Sequence, residues 1–283
     1  MRLFLKKLLG HKKFVFTEEY VRKILGLQRH MGKIETLVLG SSHIEVGFVP
    51  KGDKEYNCGT SSQDLYSGYR LYQYANSKKL KNIIISFSAF SPFNDFMGSP
   101  TPYLAAYLKI MCGIEYADCT KKTLKKIKAD YKKITRKIKR YTKRIESQCD
   151  LDKYNGKFMF WPETLYKQDE QLMSKYAVND VHRFFTLKHN PIVYLSELIR
   201  EARDNNQKVY IVVTPIIDKL YKELMVPEDM LFREIYALAK IYPNVKILNY
   251  YNDKRFVESD FYDWQHLNKK GADKLTKLIR GNM

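Results

Sequence analysis

Short apolar runs alternate with amphipathic stretches along most of the chain. Five of the runs have the length and the Val, Ile and Leu content of buried strands: Glu35–Leu39, Glu55–Cys58, Asn82–Phe87, Val209–Thr214 and Val245–Asn249. Helical patterns follow them at about 61–76, 191–205, 228–241 and 269–280. Near-continuous apolar strands between amphipathic helices are typical of a parallel sheet that is covered on both faces. The pattern therefore predicts the α/β class.

A gap of about 120 residues separates the third predicted strand from the fourth. One crossover helix needs far fewer residues than this. We therefore expect a helical insertion or cap at about 98–190. We also expect a basic N-terminal helical segment, 1–33, with its helix at about 17–30, ahead of an α/β domain over 34–283.

The positive charge of the chain is concentrated in two segments. Of the net +19, residues 1–33 hold +7 and residues 121–144 hold +12, so the rest of the chain is neutral. In the second segment and just beyond it, apolar residues at alternating spacings of three and four predict a Lys/Arg-rich heptad helix over 121–145: Leu124, Ile127, Tyr131, Ile134, Ile138, Tyr141 and Ile145.

Several uses of this heptad helix are open. Its apolar stripe can dock on the body or on a second copy of the helix, which would make the protein a coiled-coil interaction protein. Its cations can instead attract an anionic membrane surface or a polyanionic substrate. Nucleic acid ranks last, because the neutral body shows no zinc-finger spacing or RNP-like aromatic strand.

The overall composition narrows the class of protein further. With 45% hydrophobic and 14% aromatic residues the chain is not disordered, and no run approaches the roughly 18 to 20 apolar residues of a membrane-spanning helix. Lysines interrupt the apolar N-terminus, so we expect no secretory signal. The four cysteines show no CxxC spacing, which indicates reduced thiols. We expect a cytoplasmic protein that at most lies peripherally at the inner membrane face.

Candidate chemistry lies where two predicted strands end. The first strand runs into Gly40-Ser41-Ser42-His43, and Asp263 and His266 stand three residues apart between the last strand and the last helix. Reactive groups of open parallel sheets gather beyond the carboxyl ends of the strands. A serine needs a base to take its proton, and a histidine serves best when a carboxylate orients it. An Asp-x-x-His turn can supply both partners and leave Nε2 facing Ser42.

Each of these segments also has a simpler interpretation. The Gly-Ser-Ser turn can be a helix N-cap or an anion-binding nest, and Asn268 is a plausible N-cap for the last helix. The Asp and His can be solvated loop residues. Taken singly these interpretations are the better ones, whereas the order of the residues and their positions at strand ends favour chemistry.

The combination resembles the SGNH/GDSL hydrolase superfamily, in a divergent branch with GSSH in place of GDS that is similar to bacterial polysaccharide O-acyltransferases. The resemblance covers about 34–96 and 190–283. It implies a three-layer, doubly wound sheet of about five parallel strands in flavodoxin-like order. It also implies that Ser42 is the nucleophile, with Asp263 and His266 completing a triad. The match of Asn57-Cys58-Gly59 to the second block implies that the Gly59 and Ser42 amides are oxyanion-hole donors.

The third block departs from the family pattern. In place of the usual Gly-x-Asn-Asp the chain has Ser86-Phe87-Ser88-Ala89-Phe90, and an Asn-Asp pair arrives only at Asn94. Losing an oxyanion donor costs about 2.7–4 kcal/mol of transition-state stabilisation. Either Ser88 or Asn94 substitutes, or the enzyme is slow or inactive. His43 is either a second polar contact in the site or a packed or solvated histidine.

These observations lead to two main functional hypotheses. The first is a serine esterase or O-acyltransferase, for which the resemblance implies acyl or acetyl esters of a bacterial surface polysaccharide or its precursor as substrate. The second is a catalytically degenerate binding protein that its basic helix recruits to a membrane or polyanion. We expect no cofactor, and no metal because the histidines lack metal-ligand spacing.

Overall fold

The computed structural model describes residues 18–88, 91–93, 103–115, 121–159, 191–224 and 227–283. A five-stranded sheet forms its centre, with neighbours in the order β2-β1-β3-β4-β5 and every pair parallel. The strands are β1 (Thr36–Leu39), β2 (Glu55–Asn57), β3 (Asn82–Phe87), β4 (Lys208–Val213) and β5 (Val245–Asn249). The predicted α/β class, the five strands and the flavodoxin-like order are confirmed.

Helices connect and flank the strands. They are α1 (18–30), α2 (Ser42–Gly47), α3 (Leu65–Ala75), α4 (Tyr103–Cys112), α5 (Lys121–Gln148), α6 (Ile192–Asp204), α7 (Asp218–Leu224), α8 (Glu228–Ile241) and α9 (Lys269–Gly281). The sequence pattern places the start of α3 at 61, four residues too early. The Asp64 side chain accepts the Ser67 amide and so caps the helix there, which leaves 61–64 as a loop.

Alternate residues of the strands pack into two separate cores. On one face Leu37, Ile83 and Ile211 join the larger apolar cluster, which α3, α6 and α8 cover. On the other face Val38 and Ile84 join a smaller cluster with residues of α2 and α9: Ile44, Leu275 and Ile279. Successive side chains of a strand point to opposite faces, so this alternation produces the predicted three layers.

Helices α1 and α5 contribute to the larger core. Tyr20, Val21, Ile24 and Leu27 of α1 are buried in it. So is the C-terminal half of the α5 stripe: Ile134, Ile138, Tyr141 and Ile145. Tyr131 is 39% exposed, and the side chains of Leu124 and Ile127 lie outside the described part. The buried half of the stripe therefore docks on the body of the same chain.

Among the described residues, no helix combines the length and the apolar character needed to cross a bilayer.

Candidate active site

Ser42 is the first residue of α2, directly after a tight turn at the end of β1. Gly40 makes this turn with a φ of +126°, and a Cβ there would lie 2.0 Å from Ser86 Oγ on the adjacent strand. Only glycine fits both the conformation and the approach to β3. The Gly40 amide donates to Gln63 Oε1 at 2.6 Å, and the Thr60 amide donates to the Gly40 carbonyl at 3.0 Å. The loop after β2 therefore holds the serine turn in place.

Asp263 and His266 lie in the loop that leads into α9. The Asp263 carboxylate accepts the backbone amides of Gln265 and His266 through Oδ1, at 3.0 and 2.8 Å. The Tyr262 amide donates to the His266 carbonyl. Asn268 is the N-cap of α9, as the sequence predicts. Because α9 packs beside α2 in the smaller core, this loop arrives at the start of α2.

The structure brings Ser42, His266 and Asp263 into one hydrogen-bonded chain. Ser42 Oγ lies 2.7 Å from His266 Nε2, and His266 Nδ1 lies 2.9 and 3.0 Å from the two oxygens of Asp263. The carboxylate only accepts, so Nδ1 carries a proton and Nε2 accepts the serine hydroxyl. This is the arrangement that deprotonates a serine.

The electrostatics keep the carboxylate ionised. Burial by itself would raise the pKa of Asp263, but the interaction with His266 and the two backbone donors outweighs it and holds the pKa below its ordinary value. Asp263 is therefore charged near neutral pH and available to orient His266.

His43 is a packed part of this site. Its ring stacks on that of His266 at a centroid distance of 5.0 Å, and Tyr262 stacks on His266 at 5.4 Å. His43 Nδ1 lies 2.8 Å from Ser41 Oγ, and Nε2 lies 3.4 Å from Gln265 Oε1. Burial lowers the pKa of His43 to about 3, so the ring is neutral. His43 links the serine turn to the Asp263–His266 loop.

The Gly59 amide has an acceptor within its own loop. It donates to Asn57 Oδ1 at 3.0 Å, while the Asn57 side-chain nitrogen donates to three carbonyls at the end of α2, those of Ile44, Glu45 and Phe48. Gly59 can serve as an oxyanion donor only if its bond to Asn57 is given up. The Ser42 amide, in contrast, is at the start of α2, where helical amides have no intrahelical acceptor.

Ser88 and Asn94 are the two candidate oxyanion residues of the third block. Ser88 is buried just after β3, where its amide donates to Ser91 Oγ at 2.9 Å and its hydroxyl lies 3.4 Å from the same atom. Asn94 lies outside the described residues. A contribution of either residue to the site remains a prediction.

A buried ion pair behind α2 escaped the sequence reasoning. Lys23 of α1 is fully buried, with Nζ 3.3 Å from Glu45 Oε1 and 2.6 Å from the Gly59 carbonyl oxygen. Burial raises the pKa of Glu45, against the opposing effect of Lys23. The sequence contains a signal for this burial, because Lys23 lies on the apolar side of its helix, between Tyr20 and Leu27.

The described residues contain no cluster of three or more His, Cys, Asp or Glu side chains that could hold a metal ion. Cys58, Cys112 and Cys149 are free thiols, while Cys119 lies outside the described residues. Burial raises the pKa of Cys58 to about 12, which makes it a poor nucleophile. Ser42 is thus the better nucleophile candidate near this edge of the sheet.

No protein-family model matches the chain, and no curated protein matches it. The assignment to the SGNH superfamily therefore stays a prediction that rests on the motifs and on the site geometry.

Proposed function

We propose that the protein is a serine esterase or O-acyltransferase of SGNH type. The observation that carries the proposal is the chain from Ser42 Oγ to His266 Nε2 at 2.7 Å and from His266 Nδ1 to Asp263 at 2.9 Å. Ser42 and His266 are 224 residues apart in sequence. A solvated loop or a helix cap does not require this alignment, whereas acyl transfer does.

The reaction would proceed in two balanced halves. Ser42 Oγ attacks the acyl carbonyl carbon while its proton moves to His266 Nε2, and Asp263 stabilises the imidazolium that forms. The tetrahedral intermediate then loses its alkoxide, which leaves as an alcohol with the proton from His266. In the second half His266 takes a proton from water or from an acceptor hydroxyl, whose oxygen attacks the acyl-serine carbonyl carbon. The bond between the acyl carbon and Ser42 Oγ then breaks as His266 returns the proton to Oγ, which regenerates Ser42.

His43 would act as a positioning residue for the base. It stacks on the His266 ring and contacts residues of both loops that form the triad. A ring held in this way keeps Nε2 directed at Ser42, and such preorganisation lowers the cost of reaching the reactive geometry. Because His43 is neutral, it adds no positive charge that would oppose protonation of His266.

The oxyanion hole would use the Ser42 amide first. Gly59 would join it after releasing Asn57, with Ser88 or Asn94 as a third donor. A hole with one donor fewer costs about 2.7–4 kcal/mol, or a factor of about a hundred to a thousand in rate. If neither Ser88 nor Asn94 supplies the third donor, we expect a slow or inactive enzyme.

The substrate class and the location follow from the resemblance and from the thiols. We propose acyl or acetyl esters of a bacterial surface polysaccharide, or of its precursor, as substrate. The free thiols Cys58, Cys112 and Cys149 support a reducing compartment, so we propose the cytoplasm as the location of the reaction.

Hydrolysis of small acetyl esters, with kcat and KM measured separately, tests the proposal. We expect measurable turnover in the wild type and its abolition in Ser42→Ala. Asp263→Asn should lower kcat by about three to four orders of magnitude, because the His266 tautomer is then wrong. Ser61→Ala is the matched control, since Ser61 is a partly exposed serine in the loop after β2. Equal turnover in Ser42→Ala and Ser61→Ala would contradict the proposal.

Two observations favour a second candidate, a binding protein with a degenerate site. The Gly59 amide is occupied by Asn57, and the third block lacks its family residues. A protein of this kind would hold an acyl ester or an anion at the serine turn without turnover. Ligand binding that depends on Ser42 and occurs without hydrolysis would favour this candidate over the enzyme.

A further inference from the structure

The cations of α5 form an array that the proposed reaction does not use. Between residues 128 and 143 eight Lys and Arg side chains are exposed. None of the eight has a carboxylate partner among the described residues. Arg144, one residue further along α5, does form an ion pair, with Glu18 of α1. The eight exposed cations between 128 and 143 face solvent.

The buried stripe fixes which side of α5 faces outward. Ile134, Ile138, Tyr141 and Ile145 pack into the core, so residues on the opposite side form the outermost line of the helix. Five exposed cations share that side, and we call them the α5 crest: Lys132, Arg136, Lys139, Arg140 and Lys143. Their spacings of four, three, one and three place them in a band about 17 Å long on the outer side of the helix.

We infer that the α5 crest is a docking surface for an anionic lipid membrane. A row of cations on a convex helix fits a flat, negatively charged surface, and its charge is complementary to the cytoplasmic leaflet. The crest contains no large apolar side chain to insert, so contact would be electrostatic at the headgroup level. Self-association through the stripe does not compete over 134–145, because that half is buried in the same chain.

Nucleic acid fits the crest less well. Proteins that bind single strands combine a positively charged groove with aromatic side chains on which the bases stack, and the crest has neither. A helix that reads duplex DNA enters the major groove, which is about as wide as a whole helix. In α5 one side is held against the body, so only its outer side could enter.

Sedimentation of the full chain with vesicles tests the inference. The vesicles contain phosphatidylcholine with about one third phosphatidylserine, or phosphatidylcholine alone. We expect binding only to the anionic vesicles, strong at about 0.05 M NaCl and lost at about 0.5 M NaCl because the charges are then screened. No binding to anionic vesicles at the lower salt would overturn the inference.

A pair of variants with equal charge separates the crest from net charge. The crest variant carries glutamine, a good helix former, at four positions: Lys132→Gln, Arg136→Gln, Lys139→Gln and Lys143→Gln. The control carries four changes at exposed lysines elsewhere: Lys78→Gln, Lys79→Gln, Lys208→Gln and Lys277→Gln. Circular dichroism and a melting curve show that each variant is folded before it is compared.

The two variants should differ sharply in affinity. Each basic residue near an anionic surface strengthens binding about fivefold, so the crest variant should lose up to several hundredfold and at least tenfold. The control should lose less than threefold. An equal loss in both would mean that net charge alone attracts the vesicles. If the crest bound a duplex or single-stranded oligonucleotide and the protein did not bind vesicles, the membrane proposal would be wrong and nucleic acid would be the ligand of the crest.

Discussion

Replacing Lys23 with methionine removes the positive half of the buried ion pair behind α2. Lys23 is fully buried, and its Nζ contacts both Glu45 Oε1 and the Gly59 carbonyl oxygen. The methionine fills a similar volume but leaves Glu45 as an uncompensated buried charge. Breaking a buried pair in this way typically costs about 3–5 kcal/mol of folding free energy.

The magnitude can be bounded by the protonation of Glu45. In the variant the buried carboxyl can take up a proton, which from an ordinary pKa of 4.5 costs about 1.4 kcal/mol per pH unit, or about 3.4 kcal/mol at pH 7. The Gly59 carbonyl loses its donor, which adds about 1–3 kcal/mol. Together the two contributions set the loss of folding free energy in the Lys23→Met variant at about 4–6 kcal/mol near pH 7, which overlaps the typical cost of breaking a buried pair.

The loss should depend on pH with a definite sign. The folded variant retains a proton on Glu45 that the unfolded chain releases above pH 4.5, so the stability of the variant falls as the pH rises. Near pH 5 the electrostatic part should shrink to below about 1 kcal/mol. Urea unfolding followed by circular dichroism at both pH values measures the difference.

Two further variants make this test decisive. Combining Lys23→Met with Glu45→Gln removes both charges, and should recover at least half of the loss near pH 7 and abolish its pH dependence. Lys78→Met changes an exposed lysine and should cost less than about 0.5 kcal/mol. A Lys23→Met penalty that is unchanged between the two pH values, or that persists in the double variant, would refute the reasoning.

Three other predictions follow from the site. In the folded protein burial lowers the pKa of His43 from 6.5 to about 3, so lowering the pH below 6.5 protonates this residue in the unfolded chain first and destabilises the wild type. Between about pH 7 and about pH 5 the free energy of unfolding should therefore fall less in His43→Gln than in the wild type. Gly40→Ala should destabilise by about 2–4 kcal/mol in urea unfolding, because its Cβ meets Ser86 and its φ is strained, and a cost under 1 kcal/mol would speak against this turn. Iodoacetamide near pH 8 should leave Cys58 unmodified by mass until denaturant is added, since burial raises the pKa of its thiol to about 12, and rapid native modification would be inconsistent with that burial.

The strands and their order could be predicted because each is a short apolar run with a strong local signal. The run Asn82–Phe87 matches β3 at both ends, and Glu55–Cys58 exceeds β2 by one residue. The start of α3 was less readable, because a capping side chain decides it. The local apolar pattern thus indicates where a strand or helix lies, whereas side-chain contacts such as the Asp64 cap determine the residue at which it begins.

The candidate site was only partly readable for the same reason. Ser42, Asp263 and His266 could be singled out because their types and strand-end positions indicate chemistry. The use of the Gly59 amide by Asn57, by contrast, depends on how the loop after β2 packs on α2. A charge count includes Lys23 in the basic segment 1–33 but does not show that its side chain is buried.

The measurement closest to the central claim is the mass of the intact protein after reaction with a fluorophosphonate, followed by peptide mapping. We expect one adduct per chain, on Ser42, and none in Ser42→Ala or His266→Ala. An adduct on another residue, or an unmodified wild type under conditions that label a known serine esterase, would contradict the claim that His266 and Asp263 activate Ser42.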